Sequence, residues 1–360
     1  MPSVKTPRKV PPTSSDPGGG RWNEMLTSLT SLLPLGPAFV LIDGAGTHEA
    51  DLAARIATAM NASGRPCVPL PAQPDGIAAQ SADVPGQAIG LAHGSGWRGA
   101  RSWDLVIWLR TPASCHGAGR PGAGPHGALP HGEDEADIVI DMHDPDWPVI
   151  RRVADRLACR GQWYLPETRA FFACRATTWD TKFGDDRPRY AAAIADALIP
   201  AGGVVIDIGC GTGRALESLR HAVGPAGGVI AIDVTPEMLS QANQASREAS
   251  AARVLADARR LPLADGCADA VFAAGLISHL PDTDAGLREL ARVTRPGGQL
   301  ILFHPSGRAA LAARHGRPLA ADDPLAAGPL DRATRATDWR LTAYDDGADR
   351  FFATAVRTGG

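Results

Sequence analysis

Apolar and polar positions along the chain repeat one phrase twice: a β-branched run, a glycine turn, then an amphipathic stretch at helical spacing. This is the pattern of βα units feeding a parallel sheet. The first phrase begins at Ala38-Phe39-Val40-Leu41-Ile42-Asp43-Gly44 and the second at Val204-Val205-Ile206-Asp207-Ile208-Gly209. After the first, Ile138-Val139-Ile140-Asp141 reads as a further strand, and Val149, Ile150, Val153 and Leu157 fall at helical spacing, predicting a closing helix over 148–160. Between them, 114–132 is rich in Gly, His and Pro and reads as a long surface loop. In the second half, helices are predicted over 166–178 and 187–199, the latter stopped by Pro200-Ala201-Gly202-Gly203. Strands follow at 204–208, 229–234, 254–256, 270–274 and 299–304, with helices at 214–222 and 286–293; Leu287, Leu290 and Val293 form one apolar face of the last. The tail, 339–344 and 350–356 about Asp345-Asp346-Gly347, reads as two strands joined by a tight turn. The fold class is α/β, with two α/β domains: a disordered segment over 1–24, a first domain over 25–160, and a second over 161–360 that opens with a helical segment over 161–200.

Composition narrows what such a chain can do. At 360 residues, two domains are the natural expectation, and 44% hydrophobic with 21% charged residues suits a globular protein with a sizeable core. A formal net charge of −3, with no basic stripe interleaved with aromatics, argues against nucleic acid and anionic membrane as partners. The longest apolar run, around 32–42, is broken by Pro34, Gly36 and Pro37, and residues 1–20 lack the apolar segment of a signal peptide. Six scattered cysteines form neither a C-x-x-C pair nor zinc-type spacing, so free thiols, no metal and a cytoplasmic location are expected. Nothing in the pattern fixes an oligomeric state.

The chemistry concentrates in Asp207-Ile208-Gly209-Cys210-Gly211-Thr212-Gly213, at the end of a hydrophobic strand and just before a helix. Backbone passing close beneath a ligand needs residues without a Cβ, and glycine also permits positive φ. A dinucleotide fingerprint would place glycines first, third and sixth, but the sixth position from Gly209 is Arg214. An acid at Asp207 suits a ligand with an amino group rather than a phosphate. The next strand ends in Asp233, where a carboxylate can accept from both hydroxyls of a ribose. Asp257-Ala258 ends the third, where a carboxylate can accept from an adenine amine. Val234 and Ala274 adjoin the same strand ends and complete the candidate cofactor-binding set; Cys210 inside the loop reads as a small filler, not a nucleophile.

This ordered set, with Asp269-Ala270-Val271-Phe272, His279-Leu280 and Arg295-Pro296-Gly297-Gly298 before a strand, resembles the small-molecule class I S-adenosylmethionine-dependent methyltransferases over about half the chain. The resemblance implies a Rossmann-like seven-stranded sheet with an antiparallel last strand, S-adenosylmethionine as cofactor and a small-molecule acceptor. It places Gly209, Gly211 and Gly213 by the methionine part of the cofactor, Asp207 near its amino group, Asp233 on the ribose, and Asp257 and Ala258 at the adenine. A sulfonium methyl is already activated, so transfer to O, N or C needs alignment more than covalent help, and a base is optional. His279 is the candidate base, with His304 a second; packing beneath the cofactor is the plainer reading for His279. Trp179, Lys182, Phe183 and Tyr190 resemble the family's lid, although aromatics at such spacing also serve as core.

In the first domain, Gly44-Ala45-Gly46-Thr47-His48-Glu49 stands where a phosphate loop would follow the first strand, but His48 and Glu49 replace its lysine and hydroxyl. With Asp104-Leu105-Val106-Ile107-Trp108-Leu109-Arg110 and 136–141, the surroundings resemble the uridine kinase-like family over 37–160. The departures imply a degenerate kinase-like domain without phosphoryl transfer. His116, His126 and His131 lie too far apart in a glycine-rich loop to favour metal. The main expectation is methyl transfer to a small molecule; the alternatives are a nucleotide-binding or scaffold protein, or a nucleoside phosphotransferase.

Overall fold

The computed structural model describes residues 17–44, 48–71, 86–111, 132–314, 319–320 and 322–359, divided among two compact units that meet in sequence at Arg152 and Val153. Residues 45–47 of the phosphate-loop-like run, and His116, His126 and His131, lie outside the described residues.

The first unit contains α1 (Pro17–Leu32), β1 (Ala38–Gly44), α2 (Glu49–Ala62), β2 (Cys67–Pro69), β3 (Ile89–His93), β4 (Leu105–Arg110), β5 (Ile138–Asp141) and β6 (Val149–Val153). They form a six-stranded sheet in the order β2-β3-β1-β4-β5-β6, with β1 parallel to both β3 and β4. Two expectations are corrected here. The sequence predicts a disordered start through residue 24, but α1 begins at Pro17 and is anchored early: Arg21 Nε donates to the Pro148 carbonyl (2.8 Å) and Trp22 Nε1 to that of Pro145 (3.0 Å). Met25, Leu29 and Leu32 are then fully buried. The closing helix over 148–160 is instead β6 followed by one turn, α3 (Asp155–Ala158). Val149, Ile150 and Val153 fit helical spacing, but β-branched side chains favour the pleated surface, and the sheet edge decides between them.

The second unit opens with α3, α4 (Tyr164–Ala173), α5 (Trp179–Phe183) and α6 (Arg187–Ala197). The helix predicted over 166–178 thus starts at Tyr164 and gives way to a 3-10 turn at Ala176–Thr178. Then come β7 (Val204–Ile208), α7 (Leu216–Val223), β8 (Gly228–Asp233), α8 (Pro236–Gln241), α9 (Asn243–Glu248), β9 (Ala252–Leu255), β10 (Ala268–Ala274), α10 (Thr283–Val293), β11 (Thr294–His304), α11 (Arg308–Arg314), α12 (Ala327–Arg335), β12 (Trp339–Asp346) and β13 (Phe351–Arg357). The seven strands lie in the order β12-β13-β11-β10-β7-β8-β9. Strands β7 to β11 are parallel, and β13 slots antiparallel between β11 and β12, giving the mixed Rossmann-like sheet expected.

The period-two pattern explains the layering. Ile206, Val271 and Leu300 point to one face and meet Leu287, Leu290 and Trp339; Val205, Phe272 and Ile301 point to the other and meet Ile194, Leu216 and Leu219. Helix α10 is capped by Asp282, whose Oδ1 accepts from the Ala285 amide at 2.9 Å. Replacing Asp282 by Ala should cost about 1 kcal/mol, read as a small drop in thermal midpoint; an unchanged midpoint would remove the cap from the account. Among the described residues no helix is long and apolar enough to cross a membrane, and no cluster of His, Cys, Asp or Glu is placed to hold a metal.

Candidate functional site

The carboxyl ends of β7, β8 and β9 lie side by side, so Asp207, Asp233 and Asp257 come to one edge of the sheet. Asp207 is fully buried, and its Oδ2 has no hydrogen-bond partner. Burial, with the Asp233 carboxylate as a lesser contributor, pushes its acid up to about 8. A buried carboxyl with an unpaired oxygen costs free energy unless something cationic meets it.

The loop after β7 is held by β8. The amides of Gly209 and Cys210 both donate to the Ile232 carbonyl (2.8 and 2.9 Å). Asp233 Oδ2 accepts from the Gly211 amide at 2.9 Å and its Oδ1 from the Thr235 amide at 2.8 Å. Burial raises the Asp233 acid, and these amide donors oppose that rise. Gly209 and Gly213 have φ of 70° and 87°. A Cβ at Gly213 would lie 2.9 Å from Leu216 Cδ1 and 3.1 Å from Ala245 Cβ, so this turn packs directly on α7 and α9. Cys210 is buried, and burial with two nearby carboxylates drives its thiol well up, leaving it protonated and unreactive.

Asp257 follows β9 and holds Arg259 through both carboxylate oxygens, with Arg259 Nη2 2.7 Å from Oδ2. The Arg259 guanidinium in turn sits 4.2 Å over the Tyr164 ring at the start of α4. Ala258 is buried beside them; Val234 is half-buried, and its carbonyl accepts from Arg169 Nε at 2.8 Å. Ala274 is half-buried at the end of β10. His279 closes a short turn on the same edge, its ring 5.2 Å from Phe172 and 6.5 Å from Phe171. Phe172 continues to Trp179 and Trp179 to Phe183 (5.8 and 4.7 Å), so the lid helices carry an aromatic wall; Lys182 lies exposed beside Phe183. Tyr190 instead packs inward on Phe303.

Sequence reasoning missed the fastening of this lid. Asp180 Oδ1 accepts from Thr212 Oγ1 (2.7 Å) and Arg214 Nε (2.9 Å), and Arg214 Nη1 also reaches Asp186. Arg214, read from the sequence only as a departure from a dinucleotide loop, is a buried clasp between the loop and the lid. An acid just after Trp179 was its one visible signal. The residues fit an adenosine-type ligand with an ammonium end: a buried, unpaired carboxylate oxygen on Asp207, a loop of positive φ, and acids at two successive strand ends.

Residues 206–302, the span from β7 to β11 that holds this edge, match the family described as "Methyltransferase domain". Over these residues the second unit is similar to that family. Curated proteins similar to this chain include an uncharacterised 37.1 kDa protein in transposon TN4556 of Streptomyces fradiae, 39% identical over 39% of this chain and 40% of its own. Methyltransferase GfsG of Streptomyces halstedii is 39% identical over 29% of this chain and 38% of its own. Demethylmenaquinone methyltransferase of Bacillus licheniformis is 33% identical over 30% of this chain and 47% of its own. The chain spans less than half the length of these curated relatives. The matched span 206–302 covers every strand end that carries Asp207, Asp233 and Asp257.

Proposed function

We propose that this protein transfers a methyl group from S-adenosylmethionine to a small-molecule acceptor. The observation that carries the reading is the Asp207 carboxyl, buried with an unpartnered oxygen behind the glycine loop that Asp233 holds in place. When bound, S-adenosylmethionine supplies an activated methyl on a sulfonium. Asp207 takes its ammonium group, Gly209, Gly211 and Gly213 let the backbone approach its methionine part, Asp233 accepts from the ribose, and Asp257 and Ala258 meet the adenine. Asp257 already gives both oxygens to Arg259, so Arg259 and Tyr164 orient it there. The lid clasped through Arg214 excludes water and aligns the acceptor over β10 and β11. A chain of net charge −3, and relatives named for quinone-pathway methylation, support a small acceptor rather than a nucleic acid.

We also read the first unit as a kinase-like fold without phosphoryl transfer. Its β1 lies between β3 and β4, so the run after Gly44 opens at a switch in strand order, where such folds bind ligands. The Asp43 carboxylate there is buried and forked to Arg98, whose Nη2 reaches Oδ1 at 2.8 Å, putting an acid where phosphates would need donors. Calorimetry on the full chain tests both readings: S-adenosylmethionine should bind, and magnesium-ATP should not. Asp233→Ala should weaken donor binding about 10- to 150-fold, in line with losing charge-assisted bonds of about 1.5–3 kcal/mol. Unchanged affinity would remove Asp233 from the site.

A further inference from the structure

We propose that His304, at the end of β11, is the general base that takes a proton from the acceptor through its Nε2. This rests on the methyltransferase reading above and adds a property of the substrate: its attacking atom carries a proton that must be lost. The ring is half-buried, and its Nδ1 lies 2.9 Å from the Ser306 carbonyl oxygen and 3.1 Å from the Ser306 amide nitrogen. The carbonyl can only accept and the Ser306 amide donates to the same Nδ1, so the two contacts favour opposite tautomers; the shorter one is decisive, with the proton on Nδ1 and the lone pair on Nε2. Among the described residues Nε2 has no hydrogen-bond partner, and it is not sealed from solvent.

Position supports the same role. Asp207, Phe272 and Ile301 are in register across β7, β10 and β11. His304 therefore stands two strands across from Asp207, ~10 Å, and three residues further out, also ~10 Å. With the donor's ammonium on Asp207, this would put His304 past the amino-acid end of the donor, beside Ala274 and Gly275 on the side left to an acceptor. A Cβ at Gly275 would lie 3.7 Å from His304 Cδ2, so the absent side chain leaves this edge of the ring open. The charged groups that act on the ring come from two elements: Asp186, just ahead of α6, and Arg314 of α11, whose Nη2 also donates to Ser306 Oγ at 2.9 Å. Arg189 of α6 holds the adjacent Pro305 carbonyl. Burial and Arg314 lower the imidazole below its usual range, so it is neutral and able to accept at neutral pH. His279, by contrast, is walled by Phe171 and Phe172.

In the step, the acceptor atom bonds to the methyl carbon as the carbon–sulfur bond breaks, and that bonding pair stays on sulfur. The acceptor's proton passes to Nε2, and the imidazolium, still donating from Nδ1 to Ser306, releases it to water. Two measurements on the full-length chain test this. Nitrogen NMR of 15N-histidine-labelled protein, assigned by His304→Gln, should show Nδ1 protonated and Nε2 bare at pH 7; the opposite tautomer overturns the proposal. In transfer to reduced 1,4-naphthoquinone, His304→Gln should lower kcat about 100-fold, flatten the rising limb of the pH profile, and leave KM and the calorimetric S-adenosylmethionine Kd within about threefold. A retained kcat with intact donor binding overturns the base alone. A wild-type chain that takes up no S-adenosylmethionine overturns the methyltransferase reading, and the base with it.

Discussion

Asp207→Asn should make the unliganded protein more stable at pH 8 while weakening S-adenosylmethionine binding about 30-fold or more. The sign follows from burial. Asp207 is pushed up to about 8 in the folded chain, from an ordinary value of 3.8. Between those values the folded state binds more protons than the unfolded one, so stability falls as pH rises through that window. Asparagine has no proton to lose, and the variant's thermal midpoint should vary less between pH 5 and 8. The loss of affinity reflects truncation of one partner of a desolvated charge pair, about 2–5 kcal/mol. Saturating donor should also flatten the wild-type slope, because its ammonium then meets the carboxylate. Parallel midpoint curves for the two proteins would show that Asp207 does not titrate in this window.

Arg214→Ala should lower the thermal midpoint and loosen the lid. Its side chain is 6% exposed, and it joins Asp180 and Asp186 to the glycine loop; the side chain of Asp186 is 14% exposed and that of Asp180 51%. Breaking a buried pair costs about 3–5 kcal/mol and an exposed one under about 1 kcal/mol. With one partner buried and one half-exposed, a loss of about 2–3 kcal/mol is expected. For a unit of this size that shifts the midpoint by about 4–10 °C. Hydrogen exchange should rise selectively in α5 and the start of α6. Protection unchanged in those helices would mean the lid is held by its aromatic packing alone.

Much of the second unit was legible in the sequence because its strands are β-branched runs interrupted by glycine turns. The residues that meet at the sheet edge, Asp207, Asp233 and Asp257, are each the acid that closes or follows such a run. What could not be read was pairing across distance. Arg214 finds Asp180 34 residues away, and Arg259 finds the Tyr164 ring across the start of the lid. Beyond the acid after Trp179, neither pair leaves a local trace, since a surface salt link and a buried clasp look alike in one dimension. The misread segments failed for a different reason. At Val149–Val153 the same three apolar residues, Val149, Ile150 and Val153, suit a helix or a strand, and at Pro17–Leu32 a glycine-rich start masked a helix whose anchor is Trp22.

The placement of β13 bears on how the protein is made. Its Phe351 lies opposite His304 and its Val356 opposite Gln299, so the flank of β11 is closed by a strand that comes after every other strand of the sheet in the chain. During synthesis from the amino end, β7 to β11 can pair as they emerge, but the border beside His304 stays an open, unpaired edge until residues 351–357 have left the ribosome. A chain stalled before that point would carry Asp207, Asp233 and Asp257 on paired strands while the border of β11 stayed unpaired. For that interval the nascent chain exposes the edge most prone to pair with a neighbour.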